Sequence, residues 1–263
     1  MELGLEGRVA IVAAASRGLG YAVARELAGE GARVVICARG ADRLAAARDA
    51  IAAETGAEVR AVAADLATME GVDAVATAAE RAFGRVDVLV NNTGGPPSGP
   101  FETLPWEKWQ AATDNLLRST VELTRRVLPG MKAQRWGRIL NVTSITVKQP
   151  VDGLMLSNSL RAAVTGFART LATEVARDGV TVNCIVPGFT KTERVAQLAA
   201  ATAEREGLSV DEVNARTEAQ IPMRRIGEPR EFAALAAFLV SERASYITGQ
   251  SMAVDGGWIR ALY

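Results

Sequence analysis

The sequence predicts a single α/β domain, a doubly wound parallel sheet with helices on both faces and a helical lid. Three observations predict it. Short apolar runs alternate with longer Ala-rich stretches of helical period, the pattern of repeated βαβ units. The first run leads into a glycine-bearing turn, Ala13-Ala14-Ala15-Ser16-Arg17-Gly18-Leu19-Gly20, that opens a helix at Tyr21. The chain has 263 residues, 49% of them apolar, enough to bury one sizeable core.

Taken in order, strands are expected at residues 9–14, 33–38, 59–63, 86–91, 138–142, 181–186 and 251–254. Each is a bounded run rich in β-branched and apolar residues, as strands buried on both faces require. The segment 190–227 breaks the rhythm. It is charged and helical in period, with no strand before Ile221-Pro222, and it reads as a lid over the site rather than a second domain. Residues 1–263 are therefore expected to form one dinucleotide-binding unit.

Thirty basic residues balance thirty acidic ones, so no charge excess asks for nucleic acid or an anionic membrane. A small-molecule substrate fits better. The opening Met1-Glu2-Leu3-Gly4-Leu5-Glu6 is acidic, and no apolar run approaches membrane-spanning length, so a cytoplasmic protein is expected. There is no histidine, which excludes His-containing zinc sites, Ser-His-Asp triads and imidazole bases. No metal is expected. Cys37 and Cys184 each lie inside an apolar run and read as small buried hydrophobes, not nucleophiles.

Beyond the turn at Ser16, Arg17, Gly18, Leu19 and Gly20, further motifs follow in order: Asp65-Leu66, Asn91-Asn92-Thr93-Gly94, Asn115, Ser144, Pro187-Gly188 with Thr190 and Thr192, Thr248-Gly249-Gln250 and Asp255-Gly256-Gly257. From end to end this resembles the short-chain dehydrogenase/reductase family, near its carbonyl and 3-oxoacyl carrier-protein reductases. The resemblance implies a Rossmann-type fold and a nicotinamide dinucleotide cofactor. It assigns the phosphates to the first turn, adenine to Asp65 and Leu66, and further cofactor contacts to Asn91 and Gly94 in the turn beside the nicotinamide. By the same resemblance Pro187, Gly188, Thr190 and Thr192 meet the carboxamide, Asn115 holds a water in a proton relay, and Ser144 orients the substrate. The family's first phosphate-turn glycine is Ala14 here.

Cofactor choice follows from charge. After the second strand an NAD site usually offers a carboxylate to the ribose, whereas this chain offers Arg39. Arg17 adds a second guanidinium able to grip a 2′-phosphate, so NADP(H) is expected. Ordinary solvated surface charges remain the other reading of both arginines.

The family's active tyrosine and lysine, one helical turn apart, map by their spacing from Ser144 to Ser157 and Arg161. Serine is a far weaker acid than tyrosine, and arginine stays charged above ~12. The substitution therefore changes the chemistry of the site. Lys148, on the loop after Ser144, is a candidate acid or Schiff-base amine, or else a solvated loop lysine. Tyr263 is the one tyrosine placed freely enough to reach a site. Arg161 can also hold the nicotinamide ribose or a substrate anion.

The leading reading is an NADP(H)-dependent oxidoreductase acting on a small polar carbonyl or alcohol. A non-redox lyase, isomerase or dehydratase on the same fold, or a catalytically silent nucleotide-binding protein, remains open. The resemblance implies a homo-oligomer, a tetramer paired through the helices around Asn115 and residues 155–177. Leu156, Leu160, Val164, Phe167 and Leu171 recur there at helical spacing, which also suits a core within one chain.

Overall fold

The computed structural model describes residues 2–262; Tyr263 lies outside them. Seven strands, β1 (Val9–Ala13), β2 (Arg33–Ala38), β3 (Val59–Ala63), β4 (Val88–Asn91), β5 (Gly137–Val142), β6 (Val180–Pro187) and β7 (Ser251–Val254), form one sheet in the order β3-β2-β1-β4-β5-β6-β7. Every neighbouring pair is parallel. The helices α1 (Gly18–Gly29), α2 (Ala41–Thr55), α3 (Met69–Phe83), α4 (Trp106–Thr113), α5 (Ser119–Ala133), α6 (Met155–Val175), α7 (Glu193–Glu206), α8 (Val210–Gln220) and α9 (Pro229–Leu239) connect or follow the strands. The chain is a single domain of Rossmann type.

Strand side chains alternate between the two faces, and the core divides accordingly. Ala10, Val12, Val34 and Ile36 pack with Val23 and Leu27 of α1, Leu44 and Ile51 of α2 and Phe232 of α9. Val9, Ile11, Ala13, Val35 and Cys37 pack on the other side with α3, α5 and the C-terminal half of α6. The apolar stripe of α6 is used inside the chain: Leu156 and Leu160 join Leu104, Ala112 and Leu116, while Leu171 and Phe167 belong to the second face. These four residues of the stripe thus pack within the chain. Both cysteines are buried, and burial pushes the Cys37 thiol up to about 12 and that of Cys184 to about 11.

The segment expected as a lid holds two helices, α7 and α8, around a small core of Ala199, Ala203 and Val213. Thr192 caps α7 by accepting from Val195 N at 3.4 Å. Ser209 and Glu212 form a reciprocal capping box on α8. The excursion leaves and returns at one point. Thr190 and Gly227 make a parallel bridge, with Lys191 N donating to the Gly227 carbonyl and Gly227 N to that of Phe189, both at 2.9 Å. Among the described residues no helix is long and apolar enough to cross a membrane.

Candidate active site

The strand order reverses between β1 and β4, and in such sheets ligands lie in the crevice at the carboxyl ends of the strands near the reversal. A cavity of about 810 Å³ occupies that crevice, running from the turns after β2 and β3 to the loops after β5 and β6 and under α7.

Its first wall is the turn after β1, where Ser16, Arg17, Gly18 and Leu19 line the cavity. Ala14 sits in the left-handed region, φ 49°, and Ala15 N donates to the Cys37 carbonyl at 3.1 Å, fixing the turn. Arg17 is the extended N-cap of α1 and makes no side-chain cap bond, so no side chain of the turn claims the first N–H groups of the helix. Gly20 does not line the cavity. A Cβ there would stand 2.4 Å from the Ala14 carbonyl oxygen and 2.8 Å from Asn92 Nδ2, so this glycine lets the helix press against the turn.

Arg39 is an exposed cavity residue and makes no ion pair among the described residues. Arg17 is engaged instead with Glu193, the first residue of α7, which also lies 3.8 Å from Arg43. Arg43, in the first turn of α2, and Glu193 both line the cavity and were not anticipated. Asp65 and Leu66 lie on the far wall, where the Asp65 carboxylate accepts from Ala67 N at 3.1 Å.

Asn91 is buried away from the cavity and has a structural place. Its Nδ2 donates to Thr124 Oγ1 at 3.0 Å and to Asn141 Oδ1 at 2.9 Å, tying β4 to α5 and β5. The cavity is lined by the next residues, Asn92 through Pro96, Gly94 among them. Asn115, expected in the site, also lines it, and it sits in a feature the sequence did not announce: residues Asp114–Arg118 form one π-helical turn between α4 and α5. Such wide turns inside helices recur at functional sites because they displace one residue's side chain from the regular helical face.

At the opposite end, Ser144 Oγ accepts from Thr146 N at 3.3 Å, and Thr146 Oγ1 lies 3.3 Å from Ser157 Oγ. Buried Thr146 thus links the two serines, and sequence reasoning missed it. One turn along α6, Arg161 Nη1 donates to the Val142 carbonyl at 2.7 Å. The guanidinium is buried, and burial together with the charge of Arg194 pushes its pKa down to about 10. Arg194 is a half-buried cavity residue whose Nη2 donates to the Pro96 carbonyl at 2.8 Å. It too was not anticipated. Pro187, Gly188, Thr190 and Thr192 complete the wall after β6, and Gly188 N is fixed by the Val254 carbonyl at 2.9 Å. Lys148 does not line the cavity; it follows the short turn after Ser144 and is partly exposed.

A parallel seven-stranded sheet with an uncapped helix after β1 and a long cavity at its reversal point is the architecture of dinucleotide-binding proteins. The chain belongs to the short-chain dehydrogenase/reductase family of oxidoreductases: residues 13–259 match the family model described as enoyl-(acyl carrier protein) reductase. It is 37% identical to the 3-oxoacyl-[acyl-carrier-protein] reductase FabG of Vibrio cholerae over 255 residues, 97% of this chain and 98% of that protein. It is 32% identical to the NADPH-dependent reductase BacG of Bacillus subtilis, covering 97% of this chain and 99% of that protein. Its fold superposes with TM-score 0.95 on L-sorbose reductase from Gluconobacter frateurii, solved with NADPH and L-sorbose, at 37% identity over 100% of both chains.

Proposed function

We propose that the chain is an NADP(H)-dependent oxidoreductase for a small polar carbonyl or alcohol, with Ser157 and Arg161 standing where the family has its tyrosine and lysine. The observation that carries this is the buried guanidinium of Arg161, held on the Val142 carbonyl one helical turn from a serine pair bridged by Thr146. The dinucleotide has a fitting bed: the uncapped start of α1, the close packing at Gly20, and an unengaged Arg39 where a 2′-phosphate would lie. Ser16 to Leu19, Asp65, Leu66, Gly94, Pro187, Gly188, Thr190 and Thr192 would hold it.

NADPH, when bound, supplies a hydride to the carbonyl carbon. Ser144 and Ser157 present hydroxyls to the substrate oxygen, and Ser157 passes a proton to it, replenished through water near Asn115. Arg161 stabilises the negative charge that develops on that oxygen, at no cost in reorganisation because the Val142 carbonyl already fixes it. Serine being a weak acid, the positioned charge has to make up part of the ~10²–10⁴-fold that a good proton donor contributes. Lys148 has no part in this scheme.

The test is a nicotinamide absorbance assay over a broad carbonyl panel with calorimetric titration of NADPH and NADH. Turnover with NADPH that falls in both Arg161→Ala and Arg161→Lys supports the reading. Binding of neither nucleotide, or full turnover in Arg161→Ala, overturns it. A cytoplasmic homotetramer belongs to the same proposal, and a monomer by light scattering at micromolar concentration would contradict it.

A further inference from the structure

Two guanidinium groups line the cavity, and neither has an acidic partner among the described residues. Arg161 comes from α6 and Arg194 from the first turn of α7. Each is oriented by a single backbone carbonyl, Val142 for one and Pro96 for the other. A guanidinium has five N–H donors in a rigid fork, so each keeps an edge unused by those bonds.

The acidic residues of the cavity are placed elsewhere. Asp42 belongs to the first turn of α2 and Asp65 to the loop after β3, both on the wall remote from Ser157. Glu193 is engaged by Arg17 and Arg43. Both arginines line the one cavity, burial lowers the pKa of both, and the charge of Arg194 lowers that of Arg161 further. Burying two like charges without a counterion costs stability, and such arrangements cluster where a ligand of opposite charge completes them.

We propose that the substrate carries a carboxylate, as a short-chain oxo acid or the corresponding hydroxy acid, held between Arg161 and Arg194 with its reacting carbon beside Ser157. This rests on the oxidoreductase reading for the reaction, and adds the substrate class and Arg194 as a specificity residue. A planar carboxylate with two oxygens matches two guanidinium edges, each able to bond it in parallel. The substrate is small because the same 810 Å³ must also take the nucleotide.

The test measures binding without turnover. Acetoacetate, pyruvate and levulinate, their methyl esters and dihydroxyacetone phosphate are titrated calorimetrically into the protein with and without NADP⁺, and into Arg194→Met and Arg194→Lys. At least one acid should bind about tenfold or more tightly than its ester, as loss of charge-assisted bonds to a guanidinium implies. Arg194→Met should abolish most of that preference, and Arg194→Lys should retain part of it. Circular dichroism checks that both variants fold, and the two together guard against one misfolding. Equal binding of acid and ester, no binding of any acid, an undiminished preference in Arg194→Met, or tighter binding of the phosphate overturns the proposal. A protein that binds the acids selectively and never oxidises NADPH would sink the oxidoreductase reading and leave the carboxylate site standing.

Discussion

Arg194 Nη2 donates to the Pro96 carbonyl at 2.8 Å, joining the first turn of α7 to the loop after β4 across the cavity. Gly95 makes room for it, since a Cβ there would lie 2.7 Å from Arg194 Nε. The bond links a segment anchored at Thr190 and Gly227 to the loop that follows the central strand β4. A hydrogen bond from a charged group contributes about 1.5–3 kcal/mol. Arg194→Met is therefore expected to speed amide exchange across residues 193–206 by about tenfold or more, leaving α1 and α6 unchanged. Equal protection in α7 would show that its own caps and small core hold it.

Cofactor preference should be carried by Arg39 more than by Arg17, because Arg17 is already engaged by Glu193. Arg39→Asp is expected to weaken NADPH and favour NADH, shifting the ratio of their dissociation constants by about tenfold or more. Glu193→Gln should tighten NADPH by freeing Arg17 while leaving NADH nearly unchanged. Calorimetry decides both, and a Glu193→Gln variant with unaltered NADPH affinity would mean that Arg17 never meets the phosphate.

Gly20→Ala would drive a methyl group to 2.4 Å from the Ala14 carbonyl, and the neighbour is backbone, which yields little. Overpacking of this kind costs about 1–3 kcal/mol, or a Tm lower by very roughly 2–10 °C for a domain of this size. Gly29→Ala is the matched control on the same helix, with nothing within 4 Å of its added Cβ. It should be neutral or stabilising by up to ~1 kcal/mol. Similar melting shifts for the two would show that the turn at Ala14 is pliable.

The fold was legible because parallel strands buried on both faces leave continuous apolar runs, and residues 9–14 and 181–186 fall within a residue of β1 and β6. The site was only half legible. Motif order located Ser144, Ser157 and Arg161, and these converge on one end of the cavity. Asn91 and Gly20 lie in the expected motifs, yet they act on packing, one as a buried amide and the other as a missing Cβ, and sequence does not separate those roles from ligand contact. Arg43 had a usable signal, lying in the first turn of the helix that follows the loop carrying Arg39. Arg194 had none, because its place depends on how a charged two-helix excursion folds back over the sheet.

The site contains no histidine, and the Arg161 guanidinium, though lowered to about 10 by burial, is charged throughout the neutral range. Carboxylate affinity is therefore expected to be flat between about pH 6 and 9 and to fall above about 10 as this charge is lost. Stability has the opposite sign. Below about 10 the charge is present in folded and unfolded chains alike, so burial imposes a constant penalty. Above about 10 the unfolded chain still binds the proton that the folded chain has lost, and this contribution to stability rises with pH. An inflection in carboxylate binding near neutral pH would assign the binding charge to another group.

The last expectation concerns Ser157→Tyr combined with Arg161→Lys, the change that restores the family's pair. Ser157 is buried on α6 with its hydroxyl 3.3 Å from Thr146 Oγ1, so a phenol ring there displaces the Thr146 link to Ser144 or fills the space beside it. Lysine at 161 keeps a positive charge and loses the planar fork, which now bonds the Val142 carbonyl and faces the cavity with its other edge. If the site is a remodelled one, both changes remove geometry that its own substrate uses. A misplacement of about 1 Å costs on the order of 10²-fold in rate, so turnover of the native substrate should fall at least that far. If instead Ser157 and Arg161 record a decayed version of the ordinary site, the double variant should fold normally and gain reduction of generic carbonyls that the parent lacks. The two outcomes are separated by assaying parent and variant side by side on the native acid and on an uncharged ketone. Gain on the ketone with no loss on the acid would end the case for a working Ser157–Arg161 pair.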